Sequence, residues 1–291
     1  MTRQPLWLLL APFLFLILWS GGYVVAKVAL QYASPMAVLA IRFGSVVLIM
    51  GVAFAIFRPK LPGKAMDWLH LVIVGVLMQT VYFGMSYIAF ANGVAAGTAA
   101  LLMSWQPIIV ALVAPRWAGE RVVLAQWIGL VVAFIGTALV ILSRLEIGPP
   151  PLVGFGFAAL ALMGITGASL WEKRFGVQHH PIIANLVGYA AGLVCLMPFV
   201  IAEGAQPIEW NAAFVAAMGY LVIGNSVIAV GLLLAMIRAG EVARVSALMF
   251  LVPPGAALGA WWLLGEAMPL AAWLGLAIAG VGVILATRKS H

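Results

Sequence analysis

The sequence predicts an all-α integral membrane protein of ten transmembrane helices, arranged as two inverted five-helix repeats with both termini cytoplasmic. Three observations predict it. Of 291 residues, 65% are hydrophobic and 8% charged, too little charge to cover a soluble fold of that size. The apolar runs are about 20 residues long, the length at which a helix crosses the hydrocarbon core of a bilayer. Finally, the chain repeats itself at a constant offset of 146 residues. The stretch that begins at Asn92 returns from Arg238, with Pro107 on Pro253, Gly119-Glu120 on Gly265-Glu266, Trp127 on Trp273, Gly129 on Gly275 and Gly136 on Gly282. The same offset carries Gly21 to Gly167, Lys27 to Lys173, Pro35 to Pro181 and Thr80 to Ser226. Residues 1–146 therefore form one repeat and 147–291 the other.

The spans follow in order. The first, 6–30, trails Arg3 in the manner of a secretory leader. Its Leu14–Lys27 is the counterpart of Leu160–Lys173, however, so it counts as a mature span. Pro35 opens the second span, 36–57, because a missing N–H costs nothing in a first turn, and Pro59 and Pro62 fall in the connection after it. Spans three to five are expected at 68–91, 97–115 and 123–143, and the run Pro149-Pro150-Pro151 marks the junction between halves. The second repeat supplies 152–174, 181–201 (opened by Pro181), 212–236, 243–264 and 270–287 (opened by Pro269). Ten such helices use roughly 200 residues, which leaves short connections and no room for a soluble catalytic domain.

Charge placement sets the orientation. The net charge of +7 suggests anionic partners such as nucleic acid only until it is mapped onto the connections. One side receives Arg3, Arg58, Lys60, Lys64, Arg116, Arg121, Lys173, Arg174, Arg238, Arg244, Arg288 and Lys289, and the other receives Lys27 and Arg144. The basic side is cytoplasmic, which puts both termini there. An odd number of spans per repeat inverts the second repeat, leaving Glu120 at the inner face and Glu266 at the outer. Two inverted halves can exchange conformations and open the molecule to each side in turn, the architecture of a carrier.

The segment Trp19-Ser-Gly-Gly-Tyr-Val-Val-Ala-Lys27, Arg42 in the second span, Pro107 followed by Gly119-Glu120, and the repeated Pro253 and Gly265-Glu266 resemble the EamA type of the drug/metabolite transporter superfamily. The resemblance runs over the whole chain. It implies ten transmembrane helices and export of small metabolites, and within the type the chain is most similar to the YddG-like exporters of aromatic and other neutral amino acids. The second half departs from the first where Gly188 stands opposite Arg42, so any role of that arginine is not duplicated.

A carrier site lies near the bilayer midplane, where polar residues are costly unless they face a cavity or a partner helix. Gln79, Tyr82, Phe83 and Ser86 share one face of span three at helical spacing, and the offset takes Gln79 to Asn225 in span eight. A carboxamide at each position can donate to a carboxylate or accept from an ammonium group; interhelical hydrogen bonding is the alternative role. Trp19 and Tyr23, one turn apart, and Trp105 are read as cavity-lining rings. Trp7, Trp68, Trp117, Trp210 and Trp273 are read as interfacial anchors, and Trp171 fits either role. Met249, with Met103 and Met163, offers an adaptable wall or ordinary packing. The substrate-contact set is thus Trp19, Tyr23, Gln79, Tyr82, Trp105, Asn225 and Met249, and Pro107 and Pro253 are expected as mid-helix hinges, with Pro254 adding to the second. Arg42, six residues into its span, either attracts an anionic substrate group or holds a helix in place. Gly129/Gly136 and Gly275/Gly282 mark packing stripes.

All eight carboxylates fall at or near span ends, so proton coupling is absent or uses an end-placed acid such as Glu172 or Glu241. No phosphate-binding loop, metal-binding His-Glu-x-x-His run or catalytic cluster appears, and Cys195 alone sits in an apolar run. The expectation is a transporter without ATP or cofactor, its partners a small-molecule substrate and membrane lipid, with no nucleic acid and no obligatory oligomer.

Overall fold

The computed structural model describes residues 6–94, 96–143, 152–176, 179–239, 242–264 and 267–287. Within these, the side chains of 6–9, 23, 27, 96–98, 101, 243–244, 260 and 263–264 fall outside the description. The expected roles of Glu146, Glu241, Glu266, Arg144 and the triple-proline junction lie outside the described residues, as does that of the Tyr23 side chain. Among the described residues the chain is helical throughout: α1 Leu6–Ala29, α2 Pro35–Phe57, α3 Ala65–Ala91, α4 Ala96–Met103, α5 Gln106–Trp117, α6 Leu124–Leu142, α7 Leu152–Phe175, α8 Pro181–Glu203, α9 Ala212–Ala239, α10 Val242–Ala247, α11 Val252–Leu264 and α12 Leu270–Ala286. Six of these, α2, α3 and α6 to α9, are long and apolar enough to cross a membrane, and shorter apolar stretches lie at Leu10–Ala26, Val245–Gly259 and Leu270–Ala286. The outward residues are large and apolar, among them Phe13, Leu48, Ile56, Leu124 and Trp262, as a lipid-facing surface requires.

Two features depart from ten uninterrupted α-helical spans. Both stretches expected to be kinked in mid-helix by proline are broken instead. Helix α4 ends at Met103, the chain turns at Ser104 and Trp105, and α5 restarts at Gln106 with Pro107 in its first turn. In the second half a 3-10 turn, Leu248–Leu251, separates α10 from α11, whose second residue is Pro253. In a first turn the missing proline N–H breaks no bond, so each proline begins a new helix. The second departure lies inside the longest helices. Val76–Gly84 of α3 and Tyr220–Ala229 of α9 wind as π-helix, at nearly equivalent positions of the repeat. Such wide turns are rare and gather at functional sites.

Helices from the two halves of the chain hold each other. Glycines set the closest approach, because a Cβ at Gly129 or Gly136 of α6 would overlap the backbone of α12 at Ala286 or Ala279. Gly275 and Gly282 of α12 meet α6 in the same way. Helix α2 packs against α8, where the repeat-equivalent residues Phe43 and Tyr189 touch edge to face at 5.5 Å between ring centres. The two residues in contact are related by the 146-residue offset.

The ends of the bundle are tied by polar side chains. At one end Glu203, closing α8, accepts hydrogen bonds from Ser34 Oγ at 2.5 Å and from Met36 N at 3.1 Å, which caps α2. At the other, Glu120 accepts from Val242 N at 2.7 Å, capping α10, and lies 3.6 Å from Lys173. There too Arg238 pairs with Glu172 and Arg174 donates to the Trp117 carbonyl at 2.9 Å. Leu30–Pro35 and Gln206, Pro207 and Glu209 line a cup of about 450 Å³ at the Glu203 end.

Candidate functional site

The π segment of α9 presents Asn225 and Ser226 to the bundle interior. Asn225 Nδ2 donates to the Leu18 carbonyl of α1 at 3.2 Å, which turns Oδ1 the other way. Arg42, reaching across from α2, donates from Nη2 to that Oδ1 at 2.5 Å and from Nε to Ser226 Oγ at 2.6 Å. Its guanidinium lies 4.4 Å from the centre of the Phe83 ring, on α3. Arg42 is 1% exposed, and among the described residues no carboxylate comes within ion-pairing distance of it. A buried cation with only neutral partners carries a desolvation cost of several kcal/mol that an anion relieves.

The π segment of α3 carries the counterpart pair, Gln79 and Thr80. Thr80 Oγ1 donates to the Gly192 carbonyl of α8 at 2.9 Å. Gln79 is 2% exposed and packs its stem over Gly192, yet its Oε1 has no hydrogen-bond partner. A buried acceptor without a donor costs about 1–3 kcal/mol.

Beside Phe83 stands an aromatic group. Trp19 of α1 stacks on Tyr82 with ring centres 6.2 Å apart and lies 6.0 Å from Phe83, and Tyr82 and Phe83 are 4.6 Å apart. All three rings are buried. The wide turn explains how neighbours in sequence do this: Gln79, Tyr82 and Phe83 all point inward, while Ser86 is only half-buried. Gly164 permits the arrangement, since a Cβ there would meet the backbone of Tyr82 and Leu77.

The expected site residues therefore divide. Trp19, Tyr82, Gln79 and Asn225 come together in one interior layer, with Asn225 already engaged at both ends of its carboxamide. Met249, in the 3-10 turn, is buried in the same core as Trp19 and Tyr82. Trp105 does not join them: it is 46% exposed and packs on Phe134 at 5.0 Å, because the break before α5 turns it outward. Arg42, for which the sequence left a substrate role and a structural role open, stands at the centre of the layer, and two further members were not singled out from sequence: Ser226, and Tyr189, which donates to the Ser226 carbonyl at 3.1 Å. The offset of Thr80 onto Ser226 was a legible signal for Ser226. Trp171 sits at the Glu172 end, with Nε1 3.3 Å from His70 Nδ1.

The model of the EamA-like transporter family matches the chain twice, over residues 5–142 and 152–288. The chain belongs to that family. It is a multi-pass membrane transporter of the drug/metabolite transporter superfamily. A relative in Salmonella typhimurium, described as a probable amino-acid metabolite efflux pump, is 26% identical over 94% of this chain and 90% of its own length. An uncharacterized inner membrane transporter of Escherichia coli, YedA, is 25% identical over 99% and 93%, and an uncharacterized transporter of Bacillus subtilis, YvbV, 25% over 94% and 89%. A solved crystal structure shares the fold with a TM-score of 0.77 over 96% of both chains, at 20% identity.

Proposed function

We propose that this member of the family exports neutral amino acids with aromatic or large apolar side chains, by alternating access and without ATP. The reading takes the chain as ten spans in two inverted repeats, 1–146 and 147–291, in the cytoplasmic membrane with both termini inside. The observation that carries it is the apposition of an aromatic group, Trp19, Tyr82 and Phe83, to a buried polar layer of Arg42, Gln79 and Asn225. An amino acid has the same division, an apolar side chain beside a charged backbone end. The rings would meet a substrate side chain with about 0.5–1.5 kcal/mol per aromatic pair beyond area burial. The likeness to a relative described as an amino-acid metabolite efflux pump supports the substrate class. Breaks in α4/α5 and α10/α11 supply the discontinuous helices that carriers use at their sites, with Pro107 and Pro253 as hinges.

The test is flux of labelled amino acids in proteoliposomes, with and without a proton gradient. Saturable movement of Phe, Tyr, Trp or Met, reduced at least tenfold by Gln79→Ala with Tyr82→Ala, is the expected result. Indifference to the gradient marks facilitated transport. No flux of any amino acid overturns the reading in favour of efflux of amphipathic drugs or other metabolites, which the aromatic wall alone would also suit. Normal transport by the double variant removes the site.

A further inference from the structure

The repeat that makes Asn225-Ser226 equivalent to Gln79-Thr80 also makes Arg42 equivalent to Gly188. The two pairs are therefore not served alike. In one, a guanidinium satisfies both side chains. In the other, the position that would deliver a guanidinium is a glycine, and the Gln79 acceptor is buried without a donor. Gly188, Gly75, Gln79, Asn185 and Tyr189 line a cavity of about 20 Å³ there, large enough for one water-sized polar group. Glu172 and Arg238 line the same cavity toward the basic end and pair with each other, so they add no net charge to it and the Gln79 acceptor is what the slot offers a donor. The two positions are close, because the equivalent residues Phe43 and Tyr189, each next in sequence to Arg42 or Gly188, touch across the crossing of α2 and α8. Tyr189 interacts with both Arg42 and Gln79.

We propose that these two unlike half-sites read the two charges of one zwitterion. The substrate carboxylate pairs with Arg42, and its α-ammonium donates to Gln79 Oε1 in the slot left by Gly188. The inference rests on the amino-acid reading above and deepens it. Each half completes the other: the carboxylate neutralises a buried cation that has only neutral partners, and the ammonium supplies the donor that Gln79 lacks. The arrangement also discriminates. A cationic amphiphile adds a positive charge beside Arg42 and offers nothing to neutralise it, so free carboxylate is required for recognition.

The experiment is binding of labelled phenylalanine to the full-length protein in nanodiscs, competed by phenylalaninamide and phenethylamine, which lack the carboxylate, and by 3-phenylpropionate, which lacks the ammonium. Phenylalanine is expected to compete at least tenfold better than any of the three. Asn225→Asp is the decisive variant. It sets a protein carboxylate against Arg42 and keeps the Arg42 link between α2 and α9. Were Arg42 only a strut, this variant would lose affinity for phenylalanine and 3-phenylpropionate no more than for phenethylamine, which has no carboxylate. As a carboxylate receptor it is occupied internally, and phenylalanine affinity falls at least tenfold while the protein stays monodisperse, the lost Asn225 Nδ2–Leu18 bond being offset in part by the new ion pair. If Asn225→Asp fails to fold, Gly188→Ala replaces it: a Cβ there meets only Gly75 Cα, at 3.4 Å. Its methyl group enters the slot, and the expected loss is confined to ligands that carry an ammonium. Phenylalaninamide binding within threefold of phenylalanine, or wild-type affinity in either variant, overturns the proposal. If the wild type binds no amino acid, the amino-acid reading fails first. The carboxylate half then stands on whether benzoate and 3-phenylpropionate raise the melting temperature of the wild type but not of Asn225→Asp, and absence of any rise overturns it as well.

Discussion

Single side chains decide how this bundle tolerates charge in an apolar interior. Arg42 and Glu172 are both almost fully buried, but their situations are opposite. Glu172 has its counter-ion in Arg238, whose side chain is 16% exposed, so this pair is internally neutral. Removing one partner of such a pair leaves a charge without compensation and costs about 3 kcal/mol. Glu172→Gln is therefore expected to lower the thermal unfolding midpoint in detergent by several degrees. The double variant Glu172→Gln with Arg238→Gln should recover part of that loss, because both charges are then gone. A double variant less stable than either single one would show that the pair is not a self-contained unit. Arg42 has no such internal answer among the described residues, which is why its compensation is assigned to the substrate.

At the scale of elements, glycine spacing and wide turns matter more than helix propensity. Gly136 of α6 and Gly51 of α2 are both helix-interior glycines, and propensity alone says that Ala stabilises each by about 1 kcal/mol. Their surroundings reverse the sign for one of them. Nothing lies within 4 Å of a Cβ built on Gly51, whereas one on Gly136 would overlap the Ala279 backbone. Gly51→Ala is expected to hold or raise the unfolding midpoint. Gly136→Ala should lower it by an amount equivalent to about 1–3 kcal/mol, since the α6–α12 contact has no side chain that can give way. Equal effects of the two would show that the contact is slack. The prolines give a second element-scale expectation. Pro107 and Pro253 begin helices after a break, so replacing either by Ala permits the two pieces to fuse. Fusion should slow transport several-fold and leave amino-acid binding within twofold of the wild type, measured as counterflow rate against equilibrium affinity.

For the whole molecule, the family and its helical membrane character were legible in composition, span length and the 146-residue offset. Part of the interior layer was legible too, because mid-span polar and aromatic residues in an apolar chain are few. What stayed hidden depends on helix winding and on pairing between halves. An i, i+3, i+4 count assumes an α-helix, and the π turns of α3 and α9 break that assumption where the site lies. Trp105 left the expected group for the same kind of reason, a break that rotates it to the outside. The partners of Arg42 are 183 and 184 residues away in sequence, beyond any local pattern.

The remaining question at this scale is which end of the bundle faces the cytoplasm. The two ends differ in chemistry: one gathers Glu120, Lys173, Arg174, Glu172 and Arg238, the other Ser34, Glu203 and the cup of about 450 Å³ beside Gln206. On the proposed topology the first end, where the basic residues gather, is the inside. Cys195 is the sole cysteine and can be replaced by Ser, leaving a background on which single cysteines report sidedness. Gln206→Cys, in the exposed wall of the cup, is expected to react with a membrane-impermeant maleimide in intact cells. Lys60→Cys, exposed between α2 and α3, should react only after the membrane is opened. The reverse pattern would invert the molecule, and with it the direction from which the Arg42 layer is loaded. An exporter needs that layer reached first through the Glu172–Arg238 end, so the labelling result bears on function as directly as on topology.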